Sequence, residues 1–383
     1  MYYTFNFFYL KYYIIAGEAS GDLHASNLMK AIIEKDNEAD FRFWGGDQME
    51  KVGGTLVKHI KDLAFMGFIE VIMNIRTIFK NIKFCKQDVL KFNPDVLILI
   101  DYPGFNLRIA DFAHQNKIKV HYYISPQIWA WKENRVHKIK KIVDEMYCIL
   151  PFEKAFYKKF NVDVNFVGHP LVDAISTFKK LALSKANFLK ENNLSTKPIL
   201  AILPGSRNQE IKVKLPIMLE ATKAFPNYQL VIAGAPNKSQ AFYQEVAKGT
   251  EVKIIENQTY DLLNNSDLAI VTSGTATLET ALFHVPQVVC YKASSISYAI
   301  AKRLIKIKYI SLVNLIMDKA VVTELIQDEL TATNIISELK LIENETSEGR
   351  IEMKKSYQLL EEKLGSGGAS KKVASLLISK IND

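Results

Sequence analysis

The 383-residue chain has little cysteine, and what it has is scattered: Cys85, Cys148 and Cys290 form no C-x-x-C pair. That excludes a zinc ribbon or a disulfide framework and fits a reducing compartment. No run of about 18 apolar residues occurs, so no membrane-spanning helix is expected. The seven histidines show no metal-ligand spacing and Asp-x-Asp is absent, so the sequence demands neither a metal nor a cofactor. Helix-turn-helix, RNP and zinc-finger patterns are missing, which argues against nucleic acid as a partner. Repeats of solenoid scale and low-complexity tracts are missing too. The aromatic-rich start, Met1 to Leu10, lacks the basic region and small-residue site of a signal peptide, and reads as a ragged extension before the first strand.

What remains is an ordinary globular composition, 48% hydrophobic and 23% charged, long enough for two cores. The net charge of +8 favours an acidic partner: an anionic membrane face or a phosphorylated small molecule once nucleic acid is set aside.

From Tyr12 onward, short apolar runs alternate with helix-length amphipathic stretches, the rhythm of βαβ units and parallel sheets. Strands are predicted at Tyr12–Ala16, Phe41–Trp44, Val96–Ile100, Val120–Ile124, Met146–Leu150 and Val164–Val167. After Gly168-His169-Pro170 a lysine-rich helical stretch intervenes, and the rhythm restarts at Ile199–Leu203, Leu230–Ala233, Val252–Ile255, Leu268–Val271 and Val288–Cys290. The region after Thr323 reads as mostly helical. The expected architecture is α/β, with two Rossmann-like domains, residues 1–172 and 173–383, facing each other across a cleft. The terminal helix, about 368–383, either stays with the second domain or packs back on an N-terminal domain.

Four strand-to-helix junctions deliver polar residues to the edge where open parallel sheets bind ligands. Gly17-Glu18-Ala19-Ser20-Gly21-Asp22 matches no standard phosphate loop, and glycine punctuation alone would explain it, but Glu18 is a carboxylate at a strand end, able to hold a sugar hydroxyl. Asp101 closes an apolar strand in Leu97-Ile-Leu-Ile-Asp-Tyr-Pro-Gly104, where low-dielectric surroundings suit proton abstraction, although a turn acid would read the same. Leu203-Pro-Gly-Ser206-Arg207 gathers backbone N–H groups, a hydroxyl and a guanidinium, a phosphate-binding set. Ser273-Gly274-Thr275-Ala-Thr277-Leu-Glu279 opens a helix whose amides and dipole suit a diphosphate, with Glu279 one turn in for a ribose.

Two stretches suggest contact with something greasy. Between Leu63 and Ile82, Met66, Ile69, Ile72, Met73, Ile75, Ile78, Phe79 and Ile82 recur at helical spacing, flanked by Arg76, Lys80, Lys83 and Lys86. A core helix would show the same stripe. Trp129 and Trp131, in the run Tyr122 to Trp131, are candidates to line a cleft or meet acyl groups, with a packed loop as the alternative.

Taken in order, these motifs resemble lipid-A-disaccharide synthase, an inverting glycosyltransferase family of GT-B architecture. The resemblance covers Tyr12 to about Lys372. It rests on Ile15-Ala-Gly-Glu-Ala-Ser-Gly-Asp22, Met66-Gly-Phe-Ile-Glu-Val71, Ser125-Pro-Gln-Ile-Trp-Ala-Trp131, Leu150-Pro-Phe-Glu-Lys-Ala-Phe156, Gly168-His-Pro170, Leu203-Pro-Gly-Ser-Arg207, Ser273-Gly-Thr-Ala-Thr-Leu-Glu279 and Ser311-Leu-Val-Asn314. It implies transfer of 2,3-diacylglucosamine from UDP-2,3-diacylglucosamine to 2,3-diacylglucosamine 1-phosphate (lipid X), giving a β-1,6-linked disaccharide 1-phosphate and UDP. It further implies a cytoplasmic enzyme, peripheral on the anionic inner-membrane surface of a Gram-negative bacterium, with a homodimer left open.

In such families the acid matching Asp101 is the favoured general base, Glu18 a second cleft acid, and Arg207, Glu279 and Asn314 belong to the nucleotide site. One departure matters: many members carry a second Asp three residues on, where this chain has Gly104, leaving Asp101 the sole acid of its loop. The rival readings are a UDP-sugar 2-epimerase or the peptidoglycan N-acetylglucosaminyltransferase, and, outside enzymes, a nucleotide- or nucleic-acid-binding protein.

Overall fold

The structure, a computed structural model, describes residues 9–63, 75–235, 238–294, 298, 303 and 307–382. It comprises two compact units, one running to Pro170 and rejoined by the segment from Gly367, the other spanning Leu171–Ser366.

The first unit is built on a parallel sheet of seven strands, β1 (Lys11–Ala16), β2 (Asp40–Gly45), β3 (Thr55–His59), β4 (Val96–Ile100), β5 (Lys119–Tyr123), β6 (Glu145–Cys148) and β7 (Asn165–Phe166), in the order β3-β2-β1-β4-β5-β6-β7. Every residue of β4 is buried, as expected of a central parallel strand covered on both faces. β1 pairs with β2 on one side and β4 on the other, with Ala16 level with Ile100, so the order reverses between β1 and β4. That reversal opens a crevice at the carboxyl ends of these two strands.

The last helix, Ala369–Asn382, completes this unit. Its Ala369, Val373, Ala374 and Leu377 are buried in one cluster with Tyr12, Ile14, Leu28 and Ile32. Lys371 pairs with Glu34 at 2.8 Å, and the Lys119 ammonium donates to the Lys380 and Ile381 carbonyls at 2.8 and 3.2 Å. A cation on the last carbonyls of a helix satisfies acceptors that the helix itself leaves open.

The second unit repeats the plan with β8 (Ile199–Leu203), β9 (Gln229–Gly234), β10 (Lys253–Glu256), β11 (Leu268–Thr272), β12 (Gln287–Tyr291) and β13 (Thr323–Ile326), ordered β10-β9-β8-β11-β12-β13 and parallel throughout. Its reversal lies between β8 and β11, where Leu203 is level with Val271. Both units are thus Rossmann-like.

Two strands escape the sequence reading, β3 (TLVKH) and β13 (TELI). Both sit at sheet edges, mostly half-exposed, so they carry polar residues and lack the continuous apolar run of a central strand. β13 opens the stretch expected to be mostly helical, and beyond it the helices Ala332–Glu343, Glu348–Leu364 and Ala369–Asn382 bear that expectation out.

Candidate functional site

In the first unit, Glu18 and Asp101 meet at the β1/β4 reversal. Glu18 is the exposed N-cap residue of the helix Ala19–Ile33, and Asp101 follows β4 directly. Asp101 and Tyr102 are consecutive residues in the left-handed region, with φ of 44° and 49°. Neither side chain favours that conformation, and strain of this kind persists only where the surroundings impose it. Three bonds impose it. The Asp101 N–H donates to the Tyr123 carbonyl at 3.1 Å, Asn106 Nδ2 donates to the Asp101 carbonyl at 2.8 Å, and the Tyr122 hydroxyl donates to that same carbonyl. Asn106 is fully buried and also donates to the Ile100 carbonyl at 3.2 Å.

Burial, with a smaller contribution from the Glu18 charge, pushes the Asp101 carboxyl up to about 6. A carboxylate so perturbed is basic enough to accept a proton from a hydroxyl as that oxygen attacks. Asp22, in the same motif as Glu18, is structural. Its carboxylate accepts from the Gly46, Gln48 and Met49 N–H groups at 2.8, 3.0 and 3.0 Å, anchoring the start of the helix Asp47–Val52.

In the second unit, the β8 and β11 junctions adjoin at the other reversal. Gly205 adopts φ of 99°, and a Cβ there would lie 3.1 Å from Glu210 and 3.4 Å from Thr272, so the loop after β8 packs directly on the end of β11. Ser206 and Arg207 are exposed on this edge, Arg207 being the N-cap residue of the helix Asn208–Thr222. Its guanidinium bonds Glu210 at 3.2 Å while its side chain remains 72% exposed. Gly274 and Thr275, also exposed, open the helix Thr275–Leu282. Glu279 accepts from the Tyr260 hydroxyl at 3.2 Å, and burial raises its carboxyl.

Three expected contacts are corrected. Thr277 is fully buried, and both its hydroxyl and its N–H turn back to the Gly274 carbonyl at 2.8 and 3.2 Å, so it closes the turn and offers a ligand nothing. Asn314 is 1% exposed with a saturated amide: Nδ2 donates to the Val322 carbonyl and to Glu324, and Oδ1 accepts from the Val321 and Val322 N–H groups, all within 3.0 Å. It clamps the loop before β13 and has no donor left for a nucleotide. Trp129 is buried, its indole donating to Glu153 at 3.3 Å and its ring set edge-on to Phe152. Glu153 in turn accepts from the Leu150 N–H at 3.0 Å, and burial pushes its carboxyl to about 7. Trp129 is therefore a packing residue rather than a surface contact.

Trp131 is the exposed ring of the pair, at 46%, with Lys132 4.1 Å and the Arg135 guanidinium 5.7 Å from its centroid. Met66, Ile69, Ile72 and Met73 lie outside the described residues. The described remainder of that stripe begins the helix Ile75–Phe92, which exposes Ile75 and Phe79 and buries Ile82, with Arg108 5.4 Å over the Phe79 ring. No described helix is long and apolar enough to cross a membrane, and no metal-holding cluster of His, Cys, Asp or Glu occurs among the described residues.

Tyr102, Asn106, Tyr122, Glu210, Lys214 and Glu324 do not stand out in the sequence as site residues. Asn106 lies only a few positions after Asp101, and that proximity is the one signal that could have found it. Lys214 reads as one more solvated lysine, and only the fold buries it.

Residues 12–378 match the family model for lipid-A-disaccharide synthetase. The chain belongs to that family. It is 38% identical over 376 residues to the lipid-A-disaccharide synthase of Geobacter metallireducens, covering 96% of each chain. Against the enzyme of that name from Nitrosococcus oceani it is 38% identical over 377 residues, covering 96% of this chain and 95% of the other. Solved structures with the same fold include the UDP-GlcNAc 2-epimerase of Neisseria meningitidis bound to UDP-GlcNAc, with a TM-score of 0.66 at 16% identity, covering 97% of this chain and 100% of that one. The glycotransferase of kitacinnamycin gives 0.64 at 11%, covering 97% and 98%. At such identities the likeness establishes the GT-B fold alone. Membership of the lipid-A-disaccharide synthetase family is what makes this chain a glycosyltransferase of lipid A biosynthesis rather than an epimerase.

Proposed function

We propose that the chain transfers 2,3-diacylglucosamine from its UDP derivative to 2,3-diacylglucosamine 1-phosphate, with inversion, releasing UDP. The observation that carries the reading is Asp101, an acid held in a strained backbone at a sheet's ligand-binding edge, with its carboxyl raised to about 6. Asp101 removes the proton from the acceptor 6-hydroxyl as that oxygen attacks the anomeric carbon of the donor, and the bond to the UDP oxygen breaks on the opposite side. Ser206, Arg207 and the Gly274–Thr275 helix start hold the diphosphate as its charge grows, and Glu279 receives the ribose. Glu18 takes a sugar hydroxyl beside Asp101 and keeps the base's proton affinity high.

General-base catalysis contributes typically about 10²–10⁴-fold, with positioning and charge stabilisation supplying most of the rest. The acyl chains imply work at a lipid surface. The exposed Trp131 beside Lys132 and Arg135, and Phe79 beneath Arg108, support an anionic inner-membrane face as the docking surface. Supplying both diacylated sugars with EDTA present tests the whole reading. UDP and a β-linked disaccharide 1-phosphate are expected. An epimerised UDP-sugar, or no UDP without added metal, would refute it.

A further inference from the structure

Lys214 is the most deeply buried ammonium described, its side chain 2% exposed on the helix that begins after Arg207. Nζ lies 3.5 Å from Oε2 of Glu210, and Arg207 Nη1 lies 3.2 Å from Oε1 of the same carboxylate. Positions 207, 210 and 214 share one helix face, which lets a single carboxylate stand between two cations. Oε2 is also the atom 3.1 Å from where a Cβ on Gly205 would sit, so this acid lies against the loop backbone.

An acid beside a phosphate loop is an obstacle: by itself it cancels the Arg207 charge and repels a diphosphate. Burial lowers the Lys214 ammonium and the adjacent Glu210 carboxylate opposes that fall, while burial raises the neighbouring Cys290 thiol to about 12. The cluster sets one carboxylate between two basic side chains. Its inner member is shielded from salt, since buried charges are screened far less than exposed ones.

We propose that Lys214 is a positioning residue for the nucleotide diphosphate: by neutralising Glu210 from inside, it leaves Arg207 tethered yet with its positive charge available to a ligand that Lys214 never touches. The inference rests on the reading of the Leu203–Arg207 loop as the diphosphate site. Calorimetry with UDP, UMP and uridine tests it on wild type, Arg207→Ala, Lys214→Met and the double variant Lys214→Met/Glu210→Gln. Lys214→Met should lose about tenfold in UDP affinity, about 1.4 kcal/mol, less for UMP and nothing for uridine, and adding Glu210→Gln should restore most of the loss.

Equal losses for all three ligands, no loss, or no restoration would overturn the inference while leaving the diphosphate site standing. Unchanged UDP affinity in Arg207→Ala would instead remove the site, and the inference with it. If Lys214→Met does not fold, Lys214→Gln, which keeps a polar group for Glu210, carries the same graded expectation and the same grounds for rejection.

Discussion

The ring of Tyr102 occupies the space where any side chain at residue 17 would stand: a Cβ on Gly17 would collide with three of its ring carbons. The end of β1 and the end of β4 are thus fitted to one another, and the ring that fills the gap belongs to the residue following Asp101. Glycine at 17 leaves room for the Tyr102 ring beside Asp101, the proposed base. Gly17→Ala should cost about 1–3 kcal/mol, the usual range for overpacking, and should lower kcat more than it weakens UDP binding. Thermal unfolding and UDP titration of one preparation check both halves, and a fully active Gly17→Ala enzyme would detach Tyr102 from the positioning of Asp101.

Asp101→Ala should abolish most turnover, a loss of about 10²–10⁴-fold, while UDP binding stays near that of wild type. In the wild type kcat/KM should rise with pH through about 6, because the base acts only when ionised. Removing the Glu18 charge with Glu18→Gln should move that limb to lower pH, though only partway, since burial is the larger cause of the shift. A limb that stays in place would show that Glu18 does not act on Asp101 electrostatically.

The same shift has a stability consequence of opposite sense. A carboxyl whose folded pKa is raised favours the fold when protonated, so its contribution is full below the ordinary Asp value near 4 and is lost as pH rises through about 6. Asp101→Asn should therefore melt a few degrees above wild type at pH 8 and level with it at pH 4. Differential scanning at the two pH values decides the matter; equal melting at both would mean the carboxyl is not perturbed.

Arg207→Ala should weaken UDP by about 10–100-fold, the range for losing a hydrogen bond to a charged group. Calorimetry reads this directly. Asn314→Ala should instead act on stability: it strips partners from the Val321 and Val322 N–H groups and the Val322 carbonyl, costing several kcal/mol. An Asn314→Ala protein that melts normally but fails to bind UDP would restore Asn314 to the nucleotide site.

Vesicle sedimentation tests the membrane face. Wild type should pellet with anionic vesicles at low salt, and Trp131→Ala together with Lys132→Ala should reduce the pelleted fraction several-fold; a wild type that stays in the supernatant would leave Trp131 an ordinary exposed ring.

Residue patterning alone prescribes the two Rossmann-like units and the junctions that carry polar residues, because central parallel strands must be apolar throughout and their carboxyl ends are marked by glycines and lone acids. The placement of Asp101, Glu18, Ser206, Arg207, Gly274 and Thr275 at strand ends is legible for that reason. Which polar groups are already spent is a matter of packing. Asn314 and Thr277 look like ligand-binding residues in a motif, yet each satisfies its neighbours' backbone, since a buried polar group must find partners wherever the fold supplies them. The reverse holds for Lys214, an unremarked lysine in sequence, which the fold buries beside Glu210. Sequence spacing reports which residues can meet, whereas burial and hydrogen-bond saturation depend on elements distant in the chain, and they decide which of those residues remain free to act.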